Sequence, residues 1–390
     1  MAVEIVHVID IALWCITALS VGYIFFYALT YALVPTHRVK GQSNKSTIEQ
    51  RSFLVIFPAY GEDIVILHTI SSFLNQHYPQ DKYSIVVVSD HMSEETNAKL
   101  SELPISLLQP QFEKSSKAKA LQFAFNNTKD NYDNIVILDA DNVVKPDFLE
   151  RLNQICDQGF TAIQCHRCAK NANNNIARLD GISEEINNSL FRMGHNNIGM
   201  SSALIGSGMC FDFDWFKTHV HLLTTAGEDR EIEKMLLIEH IFIKYAADID
   251  VYDEKVGNEE NFQRQRQRWM SAQLNSLLSM MENLPKSIIE LNINYIDKTI
   301  QQMLIPRSLL LIGSFICLLI MSIIIFTWAL KWWLLFILTS LSLWIAIPRK
   351  MRNGTLAKLI THLPRLTWKM LSNIRHIDRK NREFIHTTHE

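Results

Sequence analysis

Apolar positions along this chain fall into two patterns, long runs near the ends and short runs between them. The run from Ile11 to Val34 carries no charge and exceeds the roughly 20 residues that cross a bilayer core, which predicts a transmembrane helix over 8–34. A second run extends from Ser308 to Leu330 and a third from Trp332 to Ile347. The third is short for a span by the same count, and Lys331 is the expected turn of a transmembrane hairpin over 304–347. Between the ends, Phe53–Phe57 (closed by Pro58), Ile85–Ser89 and Ile135–Leu138 read as buried strands. Ile64–Leu74 and Lys117–Asn126 have helical spacing. Alternation of this kind predicts an α/β domain over 48–280 with a parallel sheet, helices on both faces and ligands beyond the carboxyl ends of the strands.

Two further segments are amphipathic. From Ser287 to Met303 one side is apolar (Ile288, Ile289, Ile293, Ile296, Ile300, Met303), which predicts a helix over 286–303 lying on the bilayer surface. The tail, 348–390, carries ten Lys or Arg against three acids, interleaved with Leu and Trp368, and is expected to bind anionic membrane lipids. Basic residues follow the first run (His37, Arg38, Lys40, Lys45) and the third (Arg349, Lys350, Arg352), whereas the amino end carries Glu4 and Asp10. The positive-inside rule then places the amino terminus outside, and the region between the first and second apolar runs, with the tail, in the cytoplasm. The first run is too long, and lacks the basic leader, for a cleaved signal.

A net charge of −2 provides no general field for nucleic acid. The six cysteines offer no disulfide or zinc framework: Cys15 and Cys317 lie in apolar runs, and the Cys165–Cys168 spacing has no second pair. A reducing compartment fits this usage. No Gly-x-x-x-x-Gly-Lys-Ser/Thr or Gly-x-Gly-x-x-Gly run occurs, so an ATPase or dinucleotide enzyme is disfavoured.

Candidate chemistry collects where the strands end. Asp139-Ala140-Asp141 offers two carboxylates that can hold Mg²⁺ or Mn²⁺ against a diphosphate, because these ions take hard oxygen ligands and share them with substrate phosphates. Glu228-Asp229 supplies a separate carboxylate to act as base toward a hydroxyl. Gln265-Arg266-Gln267-Arg268-Trp269 places a guanidinium fork for phosphate oxygens beside a flat ring that suits a sugar.

The order Asp90, Asp139-x-Asp141, Glu228-Asp229, Gln265-x-x-Arg268-Trp269 resembles family 2 glycosyltransferases, and within them membrane synthases of the cellulose, chitin and hyaluronan type. The resemblance covers roughly residues 50–275. It implies a GT-A (Rossmann-like) catalytic domain and inverting transfer from a nucleotide diphosphate sugar, a UDP-sugar as expected donor, to a glycan or lipid-linked acceptor. It also implies roles. Pro58-Ala59-Tyr60 with Glu62 would form the opening nucleotide-binding turn, Asp90 would accept a hydrogen bond from the base, and Lys117 and Lys119 would be a basic pair, here preceded by Ser115-Ser116 where many relatives carry glycine. Asp139 would face the ribose or metal and Asp141 the metal. Gly206-Ser207-Gly208 and Glu228 would border the acceptor, Asp229 would be the base, Arg268 would neutralise the leaving diphosphate, and Trp269 would floor the acceptor site beside Gln265.

Large processive synthases have more membrane helices and a Phe-x-Val-Thr-x-Lys gating segment after Gln-x-x-Arg-Trp, which is missing here. Three spans cannot enclose a polysaccharide alone, so short products, a lipid-linked acceptor, a homo-oligomer or an export partner are expected. Chitooligosaccharide synthases have a similarly small membrane part. The alternatives are a paired-carboxylate hydrolase and a membrane-held nucleotide-sugar-binding scaffold without turnover.

Overall fold

In the computed structural model, residues 2–35, 49–225 and 227–352 are described. The basic cluster at 37–45 and the tail beyond Arg352 lie outside them. The chain opens with α1 (Ala2–Leu33) and continues β1 (Phe53–Tyr60), α2 (Ile66–Phe73), β2 (Tyr83–Asp90), α3 (Glu94–Ser101), β3 (Ser106–Leu108), α4 (Lys117–Asn127), β4 (Asn134–Ile137) and β5 (Val143–Val144). Then follow α5 (Phe148–Cys156), β6 (Ala162–Ala169), α6 (Asn175–Asn187), a π-helical segment (Asn188–Met193), α7 (Gly194–Asn197), β7 (Met209–Asp212), α8 (Phe213–His219), α9 (Glu228–Ile238) and β8 (Ile243–Asp253). The last helices are α10 (Glu259–Ile289), α11 (Ile293–Met303), α12 (Arg307–Ile324) and α13 (Phe326–Ala346).

The strands form one sheet in the order β3-β2-β1-β4-β7-β6-β8-β5. It is mixed rather than parallel. β3, β2, β1 and β4 run parallel, but β7 is antiparallel to both β4 and β6, and β5 is antiparallel to β8. Period-2 alternation in β1 divides the two cores: Phe53, Val55, Phe57 and Ala59 pack toward α2 and α5, while Leu54 and Ile56 pack toward α4 and α9. Pro58 does not end β1; it pairs with Val88 inside it. It is tolerated because β4 pairs with β1 only from Phe53 to Ile56, so Pro58 lies where the strand has a neighbour on one side alone.

Helices α1, α12 and α13 form a third core and are each long and apolar enough to cross a membrane. Lys331 is not the turn between the last two: the break falls at Ile325, and α13 is 21 residues long. Lys331 instead forms an ion pair with buried Asp10 of α1, whose other oxygen accepts a hydrogen bond from Trp332 Nε1 at 2.7 Å. At the far end of α1, Gly194 lets Tyr27 approach; a Cβ there would sit 2.7 Å from the Tyr27 carbonyl oxygen.

The single helix expected over 286–303 is two, and α10 runs across the boundary expected at residue 280. α10 continues to Ile289, the chain turns at Leu291 (φ 53°), and α11 begins at Ile293. α11 is polar inward and apolar outward. Tyr295, Asp297, Lys298, Thr299 and Gln302 are buried, whereas Ile293, Ile300 and Met303 are exposed, continuing the exposed Ile288, Ile289 and Leu291. Asp297 accepts hydrogen bonds from Tyr27 (2.7 Å) and Tyr23 (3.0 Å) of α1, and Lys298 lies 4.0 Å from Glu233 of α9. These contacts tie α1 to α9 through α11.

Candidate active site

β1 and β2 end side by side, with Tyr60 opposite Asp90. Gly61 N–H donates to the Asp90 carbonyl at 3.0 Å, and the Asp90 side chain is buried. One strand further, Asn142 organises the Asp139–Asp141 turn. Its Oδ1 accepts from the Asp139 N–H (3.0 Å) and the Ser207 hydroxyl, and its amide donates to Asp141 Oδ1 (3.0 Å) and Asp253 Oδ1 (3.2 Å). Asp141 Oδ2 accepts the Glu254 N–H at 2.9 Å. The turn is therefore fixed from within by a residue that the sequence reading passed over, since a lone Asn after Asp-x-Asp carries no distinctive spacing.

Across the cleft stands the start of α9. Gly206 takes φ 76°, the left-handed region that favours glycine, and it faces three charged groups: a Cβ there would be in ordinary contact with Glu228 Oε1 (3.7 Å), Lys117 Nζ (3.8 Å) and Asp229 Oδ2 (3.9 Å). Lys117 is ion-paired with Asp139, donates to the Gly206 carbonyl at 2.6 Å and lies 3.6 Å from Glu228. Burial opposes its charge, but Asp139 and Glu228 outweigh that and raise its pKa. Glu228 shifts in the same direction, which for an acid favours the neutral form. Burial, with neighbouring Asp229 adding to it against the pull of Lys117, pushes its pKa up to about 7.

This shift gives a stability prediction. A carboxyl raised in the folded state binds its proton more tightly there than in the unfolded chain, so its contribution is full below its ordinary value of 4.5 and is lost as pH rises through about 7. Thermal unfolding of the protein without donor should show that decline, on the order of 3 kcal/mol. Glu228→Gln should flatten it; an unchanged slope would remove Glu228 as its source.

Helix α10 forms the third wall and turns Gln265, Arg266, Arg268 and Trp269 into the cavity. Arg266, not singled out from sequence, stacks at 4.6 Å from the Trp269 ring centroid and 4.8 Å from that of Phe262, while its Nη2 donates to Asp180 at 2.6 Å. Gln265 Oε1 is buried without a hydrogen-bond partner among the described residues. Behind this wall Glu184 is held ionised: burial raises its pKa, but Arg167 (3.0 Å), Lys255 (3.8 Å) and Arg192 (3.3 Å) reverse the effect and drive it well below the carboxylate range. The pairings that build this network join β6, α6, the π-helical segment and the residues just after β8, and only the fold brings them together.

The walls border an open cavity of about 1110 Å³. Pro58, Ala59, Tyr60, Glu62, Asp90, Lys117, Asp139, Ala140, Asp141, Gly206, Glu228, Asp229, Gln265, Arg268 and Trp269 line it. Lys119, Ser207 and Gly208 do not. Lys119 is exposed and caps the Lys114 carbonyl at 2.6 Å, because successive helical residues two apart point to different sides. Ser207 is buried under the turn against Asn142, and Gly208 hydrogen-bonds to β4 and β6, where a Cβ would lie 3.0 Å from Val251 Cγ2. The cavity also has an apolar arm that runs between α12 and α13, lined by Leu311, Ile312, Phe315, Phe336, Leu343 and Trp344. Arg307 stands at its base and donates to Ser183 Oγ at 3.2 Å.

Asp139 and Asp141 present hard oxygens suited to a divalent ion. Among the described residues no group of three or more His, Cys, Asp or Glu is placed to hold one. An ion held by this pair would have to complete its shell with substrate oxygens and water.

Residues 50–272 match the family model described as glycosyltransferase like family 2. The probable glycosyltransferase YdaM of Bacillus subtilis (strain 168) is 32% identical over 95 residues, 23% of this chain and 22% of that relative's length. In architecture the chain is similar to the mannosyltransferase PcManGT of Pyrobaculum calidifontis, solved with GDP-Man and Mn²⁺. That likeness has a TM-score of 0.59 at 16% identity, covers 94% of this chain and 99% of the other, and concerns the fold. The mixed sheet and its flanking helices are a GT-A fold, and the chain belongs to the family 2-like glycosyltransferases.

Proposed function

We propose that the protein transfers a sugar from a nucleotide diphosphate sugar to a lipid-linked acceptor at the membrane, with inversion, giving a β-linkage from an α-linked donor. The observation that carries this reading is the continuity of one cavity from the strand-end carboxylates to the apolar arm between α12 and α13. A polar donor and an apolar acceptor tail can occupy its two ends at once. The family membership supports the reaction class, and the Mn²⁺ and GDP-Man held by the mannosyltransferase support the cofactor and donor class.

In this reading Asp90 receives the base and Arg268 stabilises negative charge as it develops on the departing diphosphate, a contribution commonly worth a few kcal/mol per donor. Asp139 and Asp141 would hold Mg²⁺ or Mn²⁺, which when bound supplies further neutralisation of the diphosphate. Lys117, anchored on Asp139 and Gly206, keeps positive charge at the same end. Asp229 takes the acceptor proton as the hydroxyl oxygen bonds to the anomeric carbon, whose bond to the phosphate oxygen breaks on the opposite face. Trp269, braced by Arg266, gives the acceptor sugar an apolar floor. The exposed apolar side of α11 rests on the bilayer surface, and the catalytic layer faces the cytoplasm.

Filling the apolar arm tests the acceptor route. Ile312→Trp should raise KM for a long-chain acceptor by about tenfold, the scale of one or two kcal/mol of lost apolar contact. Donor binding should be unaffected. Loss of donor binding with acceptor KM unchanged would place the acceptor elsewhere.

A further inference from the structure

A guanidinium stands where the cavity passes into its apolar arm. Arg307 is the first residue of α12, and it lines the cavity one helical turn before Leu311 and Ile312 of the arm. Its Nη2 donates to the carbonyl and the hydroxyl of Ser183, both at 3.2 Å. Its Nη1 is buried with no hydrogen-bond partner, and no carboxylate oxygen lies within 4.0 Å of the guanidinium, among the described residues. The charges around it are mostly of its own sign: Arg266 and Arg192 repel it, and Glu184 attracts it. Glu184 is already shared by Arg167, Arg192 and Lys255, and Asp180 is taken by Arg266 at 2.6 Å. The first turn of a helix is also the unfavourable end for a cation. Arg266 has the same deficit, since its Nε is buried without a partner among the described residues although it lines the same cavity.

Buried guanidinium donors without partners are costly, and like charges nearby add to the cost. An anion at this point removes both. From this arrangement we infer that Arg307, with Arg266 beside it, binds a phosphate or diphosphate ester that joins the acceptor's sugar to its apolar tail, so that the acceptor is an anionic lipid. The inference rests on the reading of the arm as the path of the acceptor tail. The sequence of groups along the cavity agrees with such a ligand. Arg266 stacks on Trp269, the proposed floor for the acceptor sugar, and Arg307 precedes the apolar side chains that would receive the tail. A group between sugar and tail therefore meets the guanidinium forks, whose paired N–H donors match phosphate oxygens. A neutral glycolipid would leave those donors unpaired.

Calorimetric titration of the full chain in a neutral detergent tests this with farnesyl phosphate and farnesol, which differ only in the phosphate. The wild type should bind farnesyl phosphate about tenfold or more tighter than farnesol, the scale of a hydrogen bond to a charged group. Arg307→Met keeps the side chain's length and removes a charge that has no carboxylate beside it, so it should unfold at no lower a temperature and bind the two ligands within about threefold of each other. Arg307→Lys, which retains the charge without the fork, should stay nearer the wild type. Equal binding of both ligands by the wild type, or an unchanged preference in Arg307→Met, would overturn the inference and leave the lipid arm standing. Displacement of farnesyl phosphate by an equal amount of inorganic phosphate or of phosphatidylglycerol would overturn it too, by assigning the site to a free anion or to bulk lipid. Weakened UDP binding in Arg307→Met would do so by assigning the guanidinium to the donor. Binding of neither farnesyl ligand would overturn the reading of the arm, and the inference with it.

Discussion

Asp229→Asn should reduce turnover by about 1,000-fold, within the range found for loss of a general base, while donor affinity stays within about twofold. Asp229 stands in the first turn of α9, its Oδ2 aimed toward Gly206, and its Oδ1 accepts the Arg230 N–H at 2.9 Å. Asparagine keeps that local hydrogen bond and the side-chain shape. What it removes is the ability to take a proton, so the effect should fall on kcat. Single-turnover transfer and calorimetric donor binding separate the two. A parallel loss of donor affinity would mean that Asp229 serves the nucleotide instead.

Asp141→Asn should act on the opposite half-reaction. Both Asp141 oxygens already accept donors, the Glu254 N–H and the Asn142 amide, so whichever way a carboxamide turns, its NH₂ meets another donor, and one negative charge is gone. Donor binding in the presence of Mn²⁺ should weaken by at least about 100-fold, the upper end of the loss seen when even an outer metal partner is removed. The residual binding should no longer respond to added Mn²⁺ or to chelation. Retained Mn²⁺ dependence in this variant would place the ion elsewhere.

The parts of this fold that were legible in the sequence are those whose signal is local. Phe53–Phe57, Ile85–Val88 and Ile135–Leu138 are strands buried on both faces, and such strands read as unbroken apolar runs. The site residues at their ends followed from that reading. β8 is harder to read, because it carries Asp248, Asp250 and Asp253 and slips register against β6 between Cys165 and His166. The bulge that makes the slip has no compositional mark. Lys331 looked like a turn because a lysine in an apolar run is expensive unless paired, and its partner, Asp10, lies at the other end of the chain. Residues 286–303 looked like one helix because the apolar side is continuous in sequence, whereas the left-handed Leu291 that divides it has no sequence signature. Arg266 was overshadowed by Arg268: only the packing of α10 against α6 tells which arginine braces Trp269.

The central claim, sugar transfer to an acceptor drawn from the membrane, is tested most directly by following the sugar. Membranes containing the full chain would be supplied in turn with nucleotide sugars labelled in the sugar, with Mn²⁺, and the label partitioned between water and butanol. The account predicts that label from one donor moves into the butanol phase as a lipid glycoside, and that Asp229→Asn abolishes the transfer. Label that stays in water as free sugar or water-soluble glycan for every donor, or butanol-phase label that is unchanged in Asp229→Asn, would contradict it.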